Sequence, residues 1–208
     1  AIQNVLATGH PMHGGFSLGP WLDDADVVLS IDAPVPWIPR NQKLKESAKV
    51  IHIGVDPLFS GLPMRSYQND IAITSDPALA LNALNAALES FAIDNTARYK
   101  TIQSKNKKRR EKILKKAKSG NNSPMTPLYV GHCISNIMEE DSVLFSELGV
   151  PFDGMDLKGS NRASIGPYSG GLGWGVPSAL GAALANPDRL AIATVGDGSY
   201  IFANPVAC

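Results

Sequence analysis

Two glycine-rich turns carry the residues best suited to chemistry. The first, Gly196-Asp197-Gly198-Ser199, follows directly on the apolar run Leu190-Ala191-Ile192-Ala193-Thr194-Val195. Glycines let a backbone come close to a phosphate, and successive N–H groups in such a turn form an anion-binding nest. Asp197, at the C-terminal end of a strand, suits Mg2+, which takes one or two carboxylates together with phosphate oxygens. Open α/β sheets bind ligands at that end. A plain β-turn is the alternative, since Asp-Gly is a common turn dipeptide. The second turn, Ser169-Gly170-Gly171-Leu172-Gly173-Trp174-Gly175, leads into the small-residue helix Pro177 to Ala185. Alone it reads equally as a tight turn whose small residues pack on a sheet. Two such turns on adjacent strand–helix units could grip opposite ends of one phosphorylated cofactor.

The other reactive side chains offer less. His10 and His13 stand three apart in a Gly/Pro loop, and His52 lies within an apolar run, where it reads as a packed core residue. Cys133 and Cys208 form neither a disulfide framework nor a metal-ligand spacing, and the setting they suggest is a reducing cytosol. Trp37, between Pro36 and Ile38, reads as a loop anchor.

The elements that must hold these turns in place follow from apolar runs and breakers. Val27-Val28-Leu29-Ser30-Ile31 and Val50-Ile51-His52-Ile53-Gly54-Val55 predict buried strands, and Asp70-Ile71-Ala72-Ile73 predicts a third. Asp76-Pro77 opens a helix with an N-cap and a first-turn proline, and Leu79, Leu81, Leu84, Leu88 and Phe91 line its apolar face. Residues 92–124 predict a solvated basic linker helix that ends in Ser119-Gly120-Asn121-Asn122-Ser123-Pro124. Thr126-Pro127 caps another helix, and Ser142-Val143-Leu144-Phe145 forms a strand closing at Ser146. A last helix is expected near Asn204-Pro205. Strands punctuated by helices predict an α/β chain with parallel sheets, partitioned as 1–91, 92–124 and 125–208. Only two strands are legible in the last region, too few for a self-sufficient doubly covered sheet, so the natural protein is expected to continue past Cys208.

Charge is balanced overall, with 19 basic and 19 acidic residues, but it is unevenly spread. Arg98 to Lys118 holds eleven Lys/Arg and a single acid, Glu111, leaving eight bases against eighteen acids elsewhere. The basic tract lacks the aromatic interleaving of a base-stacking surface, so no nucleic-acid partner is expected. No apolar run reaches the roughly 18 residues of a membrane span, and no signal peptide is apparent.

Gly170-Gly171-Leu172-Gly173, Pro177-Ser178-Ala179-Leu180-Gly181-Ala182-Ala183, Pro187-Asp188-Arg189 and Gly196-Asp197-Gly198-Ser199 together resemble the C-terminal cofactor domain of thiamine diphosphate-dependent enzymes, of the benzoylformate decarboxylase and acetolactate synthase type. The short Gly-Gly-Leu-Gly turn, followed by an aromatic and then a proline, is more similar to benzoylformate decarboxylase. Asp24-Ala25-Asp26-Val27-Val28-Leu29 and Val50 to Pro57 resemble the family's central Rossmann-like domain. The fold implied is part of that central domain joined to part of a doubly wound thiamine diphosphate-binding domain.

The resemblance implies roles. Asp197 would ligate Mg2+. Gly196, Gly198, Ser199 and Ser146 would meet the diphosphate. The Gly170 carbonyl would accept a hydrogen bond from the aminopyrimidine, with Gly171 beside it, and Leu172 would hold thiamine in its bent reactive shape. The implied reaction is decarboxylation of a 2-keto acid, the cofactor supplying the carbanion chemistry. An acetolactate synthase-like carboligase is the rival, with FAD conceivable in the parent protein but unsupported by these residues. A non-catalytic segment that only folds or pairs with a partner is the other. The family's second metal-ligand position falls past Cys208, and its pyrimidine-activating Glu belongs to an N-terminal domain. The family closes its site between subunits, implying a homodimer or homotetramer in the parent protein, and the two cysteines are what suggest a cytoplasmic setting. The chain alone is therefore expected to be inactive.

Overall fold

The computed structural model describes residues 2–62, 64–147, 150–166 and 171–207. It divides into two compact units, residues 17–96 and residues 1–16 with 97–208. The chain opens with a two-residue strand, β1 (Ile2–Gln3). The smaller unit supplies α1 (Gly19–Leu22), β2 (Val27–Ile31), β3 (Lys49–Gly54), β4 (Ile71–Thr74) and α2 (Pro77–Glu89). The larger unit continues with α3 (Thr96–Lys118), α4 (Pro127–Ile137), β5 (Val143–Ser146), β6 (Ala163–Ile165), α5 (Gly175–Ala185), β7 (Ala191–Thr194) and α6 (Asp197–Phe202). The architecture is α/β with parallel sheets.

In the smaller unit the strands pair in parallel in the order β2-β3-β4. β3 is the central strand, and Val50 and Ile53 are buried in it. His52 is also buried, its Nε2 3.1 Å from the Gln68 carbonyl oxygen. Its ring packs among Trp37, Phe59 and Tyr67, with Trp37 and Tyr67 edge to face at 5.3 Å. α2 begins where its cap chemistry dictates. The Asp76 carboxylate accepts the N–H groups of Ala78 and Leu79 at 2.9 and 3.0 Å, satisfying donors a helix start leaves open. Leu79, Leu88 and Phe91 are exposed.

In the larger unit the strand order is β1-β6-β5-β7. β5 pairs in parallel with β6 and β7, and β1 joins antiparallel to β6. Leu144, Phe152, Met155, Leu157 and Ala163 form the buried core, flanked by Phe16, Ile134, Met138, Ile165 and Ile192. Asn4 is fully buried at the β1–β6 edge. Its Oδ1 accepts the N–H groups of Arg162 and Ala163, both at 2.8 Å.

Four expectations change. The last region has a third parallel strand, β6, whose three residues are too few to show a pattern. Residues 1–16 pack with the larger unit, because β1 and Asn4 bond to β6, whereas the sequence grouped them with residues 17–91. α3 has a docked face. Asn106 and Ala117 are buried in it, Arg109 donates to the His13 carbonyl at 2.9 Å, and Arg110 donates to the carbonyls of Asp153 (2.8 Å) and Met155. The final α-helix starts at Asp197, with Gly196 as its N-cap, and Pro205–Ala207 is a 3-10 turn. Among the described residues no helix is long and apolar enough to cross a membrane.

Candidate cofactor site

β5 and β7 run side by side and end together, with Ser146 opposite Thr194. Ser146 is buried, and its hydroxyl donates to the Val150 carbonyl at 3.3 Å. One residue on, the Glu147 N–H donates to the Thr194 carbonyl at 2.8 Å. This extends the ladder and turns the Glu147 side chain into the space past the strand ends.

The Glu147 carboxylate is 5% exposed and divides its two oxygens between two amides of the second Gly-rich turn. Oε1 accepts the Gly173 N–H at 2.5 Å, and Oε2 accepts the Gly175 N–H at 2.8 Å. Burial pushes this carboxyl up. The N–H groups of Gly175 and Gly173, with Ser199 and the Trp174 N–H, outweigh burial and hold it below the usual glutamate range. The glycines are required here. Gly173 has φ +87°, and a Cβ there would lie 2.8 Å from the Phe202 carbonyl carbon. At Gly175 a Cβ would lie 2.9 Å from Val195 Cγ1 and 3.1 Å from Glu147 Oε2.

The first turn lies across the same carboxylate. Ser199 is buried and close enough to acidify Glu147, yet its hydroxyl reaches hydrogen-bond geometry with no partner. The Thr194 hydroxyl is likewise buried and unpartnered. The Thr194 hydroxyl, at the end of β7, fits a polar group that the described residues do not supply, since an unsatisfied buried hydroxyl is costly. Asp197 stands at the first position of α6, and its Oδ1 accepts the Gly198 N–H at 2.8 Å. A Cβ added at Gly198 would meet nothing within 4 Å, so the backbone there is open to close approach. Among the described residues no group of three His, Cys, Asp or Glu could hold a metal ion. A cation at Asp197 would therefore need further ligands beyond these carboxylates, and Mg2+ commonly takes phosphate oxygens among them.

Of the residues singled out in the sequence, Ser146 and the Gly196–Ser199 turn lie at the ends of β5 and β7, and Gly171 and Leu172 precede the turn gripped by Glu147. Leu172 is 52% exposed. Gly170 lies outside the described residues. His10 and His13 close their own loop, each Nδ1 accepting a backbone N–H two residues on, from Met12 and Gly15. Sequence reasoning passed over Glu147 and Thr194. The only signal for Glu147 was its place one residue beyond a strand.

Comparison with known proteins agrees with this geometry. Residues 155–205 match the family model of the thiamine pyrophosphate enzyme, C-terminal TPP binding domain. Acetolactate synthase 1, chloroplastic, of Oryza sativa subsp. japonica is 25% identical over 199 residues, covering 91% of this chain and 30% of that protein. A Schizosaccharomyces pombe protein named as a probable pyruvate decarboxylase is 30% identical over 116 residues, covering 54% of this chain and 20% of that one. The fold is similar to that of the Rhodococcus jostii RHA1 thiamine diphosphate-dependent 4-hydroxybenzoylformate decarboxylase, with TM-score 0.59 and 23% identity, over 93% of this chain and 36% of that one. The chain thus spans about a third or less of the proteins it matches. Taken with the sheet ends and turns described above, these matches make the chain similar to part of the thiamine diphosphate-dependent decarboxylases and acetolactate synthases, with residues 155–205 matching the C-terminal TPP binding domain.

Proposed function

We propose that the whole protein is a thiamine diphosphate- and Mg2+-dependent decarboxylase of a 2-keto acid, similar to benzoylformate decarboxylase, and that this chain supplies the surface on which the cofactor rests. The observation that carries the reading is the meeting of both Gly-rich turns at Glu147, the second through the Gly173 and Gly175 amides and the first through the buried Ser199 beside it. Asp197 would hold Mg2+. Gly196, Gly198, Ser199 and Ser146 would hold the diphosphate, and Gly170, Gly171 and Leu172 the thiamine end. When bound, the cofactor supplies the carbanion chemistry that lets CO2 leave a 2-keto acid.

The chain's own residues bind, orient and exclude water. Asp197 would contribute the negative charge that holds a cation beside the phosphates. Gly198 leaves room for phosphate oxygens against its backbone. Leu172 offers a half-exposed apolar surface that keeps water from the thiamine end and favours one conformer. Substrate and partner surfaces come from the rest of the protein, which works in the cytosol as a homodimer or homotetramer.

A carboligase reading has one observation in its favour. The alignment to the rice acetolactate synthase runs along 91% of the chain, against 54% for the decarboxylase-named relative. One experiment separates the two. The whole protein is given Mg2+, thiamine diphosphate and either pyruvate or benzoylformate, and CO2, aldehyde and acetolactate are measured. Aldehyde in step with CO2 supports the decarboxylase. One acetolactate and one CO2 for every two pyruvates consumed supports the carboligase. No turnover of either substrate class, with cofactor unbound, would sink both.

A further inference from the structure

Helix α5 starts without a cap of its own. The residue before it, Trp174, has no side-chain oxygen to offer, and no side-chain cap bond forms there. The open amide of Gly175 and the amide of Gly173 in the preceding turn both bond to Glu147, which lies 28 and 26 residues earlier and belongs to the end of a different element. A carboxylate at a helix start is favoured by the open N–H groups and the positive end of the helix dipole. The grip is tight on the far side as well. Gly173 abuts the backbone of Phe202 and Ala203, so the turn is held between the Glu147 carboxylate and the last turn of α6. Leu172 is the residue immediately before this clamp.

We propose that Glu147 is a positioning residue: its buried carboxylate clamps the Gly173 and Gly175 amides and thereby sets the backbone that presents Leu172 to the thiamine end of the cofactor. This rests on the reading of the site as a thiamine diphosphate site. Glu147 itself touches no reacting atom in that reading. Its action passes through the turn, so it governs the fit of the thiamine moiety and leaves the diphosphate end, at Gly196 to Ser199, with its own backbone donors.

The test uses the whole protein, wild type and with Glu147→Gln or Glu147→Asp. Gln keeps the shape but loses the charge and turns an NH2 toward an amide donor. Asp keeps the charge on a shorter arm. Amide hydrogen exchange is followed at Gly173 and Gly175, and two probes are titrated with Mg2+ present: thiamine diphosphate and inorganic pyrophosphate. In the wild type both amides are slow to exchange although they lie outside a regular ladder. In Glu147→Gln their exchange quickens about ten- to a hundredfold, the scale of a lost hydrogen bond to a charged acceptor. Thiamine diphosphate affinity falls by about tenfold while pyrophosphate affinity changes by less than about twofold, and Glu147→Asp recovers part of the difference. Freely exchanging amides in the wild type overturn the clamp, even if the Gln variant does not fold. Equal loss of both probes overturns the selective role and leaves Glu147 a general stabiliser. Slow amides in a wild-type whole protein that binds neither probe overturn the cofactor-site reading, and with it the cofactor-facing part of the proposal.

Discussion

Ser146 and Thr194 face each other at the C-terminal ends of β5 and β7, and the Glu147 N–H bonds to the Thr194 carbonyl at 2.8 Å just beyond them. That pairing lines up three functional groups in a short span: the buried Ser146 hydroxyl, the unpartnered Thr194 hydroxyl and the Glu147 carboxylate. The two turns of the candidate site are fastened to this one register, so the predictions below concern groups whose positions it fixes.

Asp197→Ala should abolish Mg2+-dependent retention of thiamine diphosphate by the whole protein. Its bond to the Gly198 N–H is local to the turn, so stability should change by only ~0.5–1 kcal/mol, the scale of a first-turn acid on a surface helix. Calorimetric titration with and without Mg2+ checks the first part, and urea unfolding the second. Unchanged cofactor affinity would remove Asp197 from the metal site.

Leu172→Ala should lower turnover far more than cofactor affinity. The side chain is half exposed, so its truncation costs the fold about 1 kcal/mol or less. The loss falls on the conformer that reacts and spares the grip on phosphate. A kcat and Kd pair measured on the same preparation decides it, and equal losses would point to ordinary packing.

Glu147 should make the larger unit sensitive to acid. Its carboxyl is held below the ordinary value of 4.5, with burial opposing and the Gly175 and Gly173 amides prevailing. The unfolded chain therefore takes up this proton first. The stabilisation is fully present above pH 4.5 and is lost as pH falls from there through the lower folded value. Urea midpoints measured across that window should fall in the wild type and lose this part of their slope in Glu147→Gln.

His13 adds a separate dependence nearer neutrality. Burial, then the Arg109 charge, lowers its pKa from 6.5. The folded chain resists the proton that the unfolded chain accepts, so stability is full above pH 6.5 and declines below it until the folded value is passed. His13→Phe would keep the edge-to-face packing on Phe16, now at 5.0 Å, and should flatten that part of the profile. An unchanged profile would mean that another group titrates there.

The chain alone, given thiamine diphosphate and Mg2+, should release no CO2 from pyruvate or benzoylformate. It spans 30% of the rice relative and 36% of the Rhodococcus chain, and members of one catalytic unit do not fail in graded fashion when parts are missing. Turnover above a cofactor-only control would mean that these residues complete the site themselves.

What was legible in the sequence was local. β2, β3 and β4 announce themselves as apolar runs, and Asp76 and Thr126 cap α2 and α4 through oxygens two or three residues from the amides they serve. The two Gly-rich turns stand out by composition alone. β6 was missed because three residues show no period. The start of α6 was missed because Gly-Asp-Gly-Ser reads as a turn before it reads as a helix start, and no side chain caps it. The basic tract of α3 read as solvated because the carbonyls that anchor Arg110, at Asp153 and Met155, lie 43 and 45 residues away. Glu147 was passed over for the same reason, since its partners are fixed by tertiary structure and leave no trace in spacing.

The seam between β1 and β6 bears on how the polypeptide is made. Asn4 meets Arg162 and Ala163, 158 and 159 positions further along the chain, and the whole of the 17–96 unit lies inside that loop. During synthesis, residues 17–96 have all their strand partners long before Asn4 has any. The first segment must wait, its polar side chain hydrated, until β6 leaves the ribosome. Closing so long a loop is slow, though its entropic cost grows only with the logarithm of length. The nested unit should therefore acquire protease resistance early, and the cofactor-site unit only after the last of its strands has been translated.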